Sequence, residues 1–148
     1  MANRLEILLI RFGPLAARVL LAQVFIVSGI GKLFNFTKMA AFMFNKGLPA
    51  SEALLVLVIL LEICGGLLLV AGLRARWVAA AFIGFTLLAS LLFHPFWAVE
   101  PDKLTAELNN FMKNLAIMGG MLYVMAFGAG PLSLDAKLAA DAVPPGKR

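Results

Sequence analysis

Glu62 stands near the middle of the apolar run Ala53 to Leu73 and is the only charged residue among its 21. A carboxyl group in hydrocarbon costs a few kcal/mol or more unless it faces a bundle interior and meets a partner, which makes it a candidate for proton exchange or ligand binding. The competing reading is a Glu locked to a Lys or Arg only to fix the fold. Desolvation and a neighbouring cation act on a carboxyl in opposite senses, so the sequence leaves its protonation state open. Three cations are candidate partners: Lys32 at the end of the first apolar run, Lys113 near the start of the last, and Arg18 approaching from below.

Periodicity places these groups on helix faces. Arg18, Phe25 and Lys32 recur every seven residues with Ser28 on the same face, while Gln23 points away. Glu62 and Gly66 are four apart, with Leu55 and Leu69 extending the stripe, and Gly65 and Gly66 allow a neighbouring backbone to come close. Asn110, Asn114, Met118, Met121 and Met125 form a further stripe beside Lys113, its methionines read as pliable core packing. His94, before Pro95, Phe96 and Trp97, is a proton donor, a hydrogen-bonding group or an interfacial histidine. Lys32 at the end of its run is alternatively a snorkelling terminus. With the first and third runs ending on the side where the second and fourth begin, Lys32, His94, Lys113 and Asn114 are expected in one outer-half polar cavity above Glu62.

Helices crossing a bilayer must position such a set. Hydrophobic residues make up 62% of the chain and charged ones 14%, against roughly 25% charged in soluble domains, and mean hydropathy is +0.95. Four runs approach the roughly 20 residues of a membrane span: about 14–33, 53–73, 77–94 and 108–127. The expected architecture is all-α: one polytopic membrane domain over 1–148, four transmembrane helices in an antiparallel bundle, with a short interfacial helix between the first two. Residues 1–12 read as a separate amphipathic segment, with Pro14 opening the first span; a cleaved signal peptide is the rival reading, disfavoured by the length of the run. The segment Phe34 to Pro49 reads as the interfacial helix, stopped by Gly47 and Pro49. Ser51 and Glu52 are expected to cap the second span. The tail after Gly130 reads as a short surface helix with a frayed end at Pro144 to Arg148. A weak repeat sets Ser28 four before Lys32 as Ser90 is four before His94.

Net charge is +5 and unevenly placed. The termini, Arg18 and the Arg74–Arg76 loop hold eight Lys/Arg against three acids, which by the positive-inside rule predicts both termini in the cytoplasm. The basic residues flank spans and offer no stripe for nucleic acid. One histidine gives no metal-ligand cluster, and the lone Cys64 reads as a small packing group.

Four motifs, Ser28-Gly29-Ile30-Gly31-Lys32-Leu33, Leu61-Glu62-Ile63-Cys64-Gly65-Gly66, Phe93-His94-Pro95-Phe96-Trp97 and Lys113-Asn114-Leu115-Ala116 before Gly119-Gly120, together resemble the DoxX family over about Arg18 to Asp135. The resemblance implies a small four-helix protein of the bacterial inner membrane. Its superfamily includes a subunit of a thiosulfate:quinone oxidoreductase, redox-stress accessory proteins and a cargo receptor, so fold alone does not fix function. Carried over by position, the polar motif residues are Arg18, Lys32, Glu62, His94 and Asn114.

Three functions follow as expectations. The first is a redox-associated accessory or subunit that binds quinone or a small hydrophobic ligand. Glu62, Lys32 and His94 then do the chemistry, Arg18, Ser28, Lys113 and Asn114 bind the cofactor, and Phe25, Met118 and Met121 line the site. No flavin, haem or nucleotide motif is present, so a quinone or a partner redox protein must carry electrons. The second is an adaptor or assembly partner without catalysis, and the third a proton-coupled small-molecule permease, with a homo-oligomer open in each.

Overall fold

The computed structural model describes residues 3–142, which contain helices and no strand. Helix α1 (Arg4–Phe34) is followed by α2 (Phe36–Asn45). The second long helix is α3 (Ser51–Leu60), a π turn at Leu61–Gly65 and α4 (Gly66–Ala71). Then come α5 (Ala75–Phe93), a 3-10 turn at Phe96–Ala98, α6 (Pro101–Phe127) and α7 (Leu134–Asp141). Packing divides the chain into two compact units: residues up to Ala75 with those from Ala129 onward, and Arg76–Gly128.

Among the described residues three stretches are long and apolar enough to cross a membrane: Arg4–Phe34, Ser51–Ala71 and Ala75–Ala98. The 27 residues of α6 extend about 40 Å at 1.5 Å each, but Asn109, Asn110, Lys113 and Asn114 dilute its apolar character. The separate segment expected before Pro14 is not found. Asn3 accepts from the Leu5 amide while Glu6 accepts from the Asn3 amide, so the helix starts at Arg4 and runs through Pro14. Proline removes one helix hydrogen bond there without ending the helix.

In the first unit, α1 crosses the second long helix at two glycines. A Cβ on Gly29 would lie 2.8 Å from Ile63 Cγ1, and one on Gly66 would lie 2.5 Å from Ile26 Cγ1. Only hydrogen fits at either crossing, which brings the Glu62 backbone close to α1. The buried face of α1 is Arg18, Ala22, Phe25 and Gly29, as the periodicity requires, and Gln23 is exposed.

Gly47, at φ +81°, ends α2 as expected, with the Leu48 amide donating to Met43 O and the Gly47 amide to Phe44 O. The expected cap of the next helix is corrected: the cap residue is Ala50, left-handed at φ 49°, and Ser51 already lies inside the helix. Glu52 sits in the first turn, where its charge complements the helix dipole. The tail does form a short helix, α7, capped by Ser133, whose hydroxyl accepts from the Ala136 amide. The frayed end expected at Pro144 to Arg148 lies outside the described residues.

Candidate functional site

Glu62 lies in the π turn, 2% exposed although flanked by apolar residues. Such widened turns recur at functional positions. Lys32 Nζ donates to both carboxylate oxygens at 2.8 Å and to Ser28 Oγ at 2.5 Å, while the Ser28 hydroxyl donates to Glu62 Oε1 at 3.1 Å. All three ammonium protons are thereby engaged. Oε1 accepts two of these bonds and Oε2 one, leaving Oε2 the oxygen with spare acceptor capacity.

The lysine does not snorkel. Side chains leave a helix tilted toward its N-terminus, so a residue at the C-terminal end of α1 is aimed back along the helix, toward Ser28 and Glu62. Its side chain retains 19% exposure.

Arg18, expected as a partner of Glu62 from below, instead holds main chain. Nη1 donates to Leu69 O at 3.1 Å and Val70 O at 2.9 Å, and Nη2 to Leu132 O at 2.5 Å. Leu69 and Val70 belong to the last turn of α4, where free carbonyls and the negative dipole end favour a cation. Gly72 makes room for it: a Cβ there would lie 2.1 Å from Nη1. At φ +66° this glycine also closes the helix, its amide donating to Leu69 O and that of Leu73 to Leu68 O. Asp135 completes the end of the unit by accepting from the amides of Arg74 and Ala75.

The second unit holds the remaining polar groups. His94 Nδ1 meets Glu107 Oε2 at 2.7 Å, a partner that the sequence reading missed. Glu107 lies seven residues before Asn114, hence on the same face of α6, which was the available signal. Asn114 Nδ2 donates to Ser90 Oγ at 3.0 Å, and the Ser90 hydroxyl donates to Thr86 O at 2.6 Å. Lys113 is exposed and donates to Asn110 of its own helix. Phe96, Trp97 and Phe111 stack edge to face, with centroids 5.1 to 6.0 Å apart. Met118 and Met121 are buried as expected of pliable packing, whereas Cys64, expected to pack, is exposed. The repeat has a structural counterpart, a serine bonded to the facing long helix in each unit: Ser28 to Glu62 and Ser90 to Asn114.

The family model described as DoxX matches residues 13–95. Inner membrane protein YqjF of Escherichia coli (strain K12) is 40% identical over 123 residues, covering 83% of this chain and 89% of that protein. Inner membrane protein YphA of the same organism is 30% identical over 121 residues, covering 82% and 86%. The Surfeit locus protein 4 homolog of Schizosaccharomyces pombe is 29% identical over 84 residues, which are 55% of this chain and 28% of that protein. No solved structure matches the chain at a significant level.

Proposed function

This chain belongs to the DoxX family and is a multi-pass protein of the inner membrane, and on that premise we propose that it is a quinone-linked redox accessory or subunit in which Ser28, Lys32 and Glu62 exchange protons. The observation carrying this reading is the Lys32 ammonium held on both oxygens of a carboxylate embedded in apolar helix. In the reading α6 is a fourth crossing helix, α2 lies at the outer interface and both termini are cytoplasmic. A bound quinone would supply the acceptor for two protons and for two electrons delivered by a partner redox protein. Glu62 takes and releases a proton at Oε2, its less committed oxygen. Lys32 holds the carboxylate in place and neutralises it. Ser28 keeps the two aligned, because it accepts from one and donates to the other.

A fold-fixing pair serving an adaptor is the second reading, favoured by the full engagement of the Lys32 donors. One experiment separates the two. Protein solubilised with its native lipid is extracted for quinone and weighed by native mass spectrometry, beside a Lys32→Met/Glu62→Leu variant in which the whole charge pair is replaced by apolar groups. Quinone bound to the wild type and lost from the folded variant is expected. Wild-type protein without quinone, or quinone retained by the variant, overturns the proton-exchange reading and leaves the adaptor.

A further inference from the structure

The donors of Lys32 are committed to Glu62 and Ser28, and Nδ1 of His94 to Glu107. A carbonyl seeking a hydrogen bond does better in a different part of the second unit. Thr86 is 5% exposed, and its Oγ1 is fully buried without a hydrogen-bond partner among the described residues. An unpaired hydroxyl costs about 1–3 kcal/mol and is uncommon enough in native proteins to ask for an explanation.

Its neighbour fixes the local hydrogen-bond polarity. The Ser90 proton is spent on Thr86 O, so Ser90 Oγ can only accept from the Asn114 side chain, and the atom facing it must be the amide nitrogen. One N–H of Asn114 is used in this way. Its second N–H has no partner among the described residues, and Thr86 Oγ1–H is likewise unspent. Thr86 and Ser90 are four apart on α5 and share a face. The cluster therefore offers two neutral donors beside one amide acceptor, Asn114 Oδ1, and no formal charge, which suits a neutral ligand with a carbonyl better than an anion.

Depth narrows the ligand further. Thr86 precedes His94 by eight residues, about 12 Å along α5, so it lies well inside the apolar stretch Ala75–Ala98. A molecule reaching it must be lipid-soluble with a polar head. Met118, one helical turn beyond Asn114 on α6, is a pliable side chain able to yield to such a head.

We infer that Thr86 and Asn114 form a carbonyl-binding site for a lipid-soluble quinone, with the Thr86 hydroxyl and the second Asn114 N–H as donors. This rests on the quinone-linked reading and assigns residues of the second unit to the ring oxygen, of which the sequence had given only Asn114 a cofactor-binding place.

The probe is a short-tail benzoquinone carrying 13C at its carbonyls, titrated into the protein in lipid nanodiscs and followed by infrared difference spectroscopy and equilibrium binding. The carbonyl band of bound quinone is expected at lower wavenumber than in lipid. Thr86→Val should reduce that shift, leaving the Asn114 N–H as the remaining donor, and weaken binding about tenfold, the loss of one buried hydrogen bond, while Thr86→Ser restores both. Because the hydroxyl has no partner among the described residues, Thr86→Val should leave thermal stability unchanged or raise it; Thr86→Ala serves the same purpose if valine impairs folding. An unaltered band and affinity in these variants overturns the carbonyl assignment while the quinone reading stands. Absence of saturable binding to the wild type removes both.

Discussion

Glu62→Gln tests the central ion pair directly. In the wild type the Lys32 ammonium spends two of its three N–H bonds on Glu62, both at 2.8 Å. Glutamine keeps one acceptor but turns a nitrogen donor toward the ammonium at the other position, and it removes the countercharge. Stripping one partner from a buried pair costs about 3–5 kcal/mol. The 19% exposure of the Lys32 side chain lets it relax, which favours about 3 kcal/mol, the lower end of that range. Removing the cation as well should recover most of the loss, leaving Lys32→Met/Glu62→Gln within about 1 kcal/mol of wild type. Lys32→Met strands the more deeply buried carboxylate and should likewise cost about 3 kcal/mol, so reversible unfolding in bicelles of wild type, both single variants and the double variant, read as a cycle, is expected to give a coupling of about 5 kcal/mol. A coupling under about 0.5 kcal/mol, the scatter of independent sites, would refute the pair as a strong interaction.

Two further substitutions probe the ends of the second long helix. Gly72→Ala forces a left-handed alanine and drives its Cβ into the Arg18 guanidinium, so a loss of more than about 2 kcal/mol is expected in the same unfolding assay. Ala50→Gly removes a left-handed alanine at a helix cap and should stabilise by about 0.5–1 kcal/mol; a loss of stability would show that the Ala50 methyl matters more than its backbone strain.

The sequence made Lys32 legible as one of three candidate cations for Glu62, with Ser28 on its face, because side chains at helical spacing on apolar runs leave a charge few ways to be satisfied; the choice among the cations and the Ser28–Glu62 bond came from the structure. It did not reveal the partners of Arg18, since these are the carbonyls of Leu69, Val70 and Leu132, and a main-chain oxygen carries no residue code. The π turn was equally hidden, because Leu61 to Gly65 is unexceptional as helix-forming sequence and only hydrogen bonding distinguishes the wider turn. Ser51 looked like a cap by residue preference, yet the tight approach after Gly47 and Pro49 puts Ala50 at that position. Pro14 looked like a boundary, yet a helix already capped at Asn3 runs past it.

With its ammonium seated on the carboxylate, the Lys32–Glu62 pair is electrically silent as it stands. A proton landing on Glu62 would end that silence, for it leaves the ammonium with its charge and no anion beside it. Uptake of a proton and release of a lysine from its counter-ion would thus be a single event, felt by α1 and by the turn around Glu62 together.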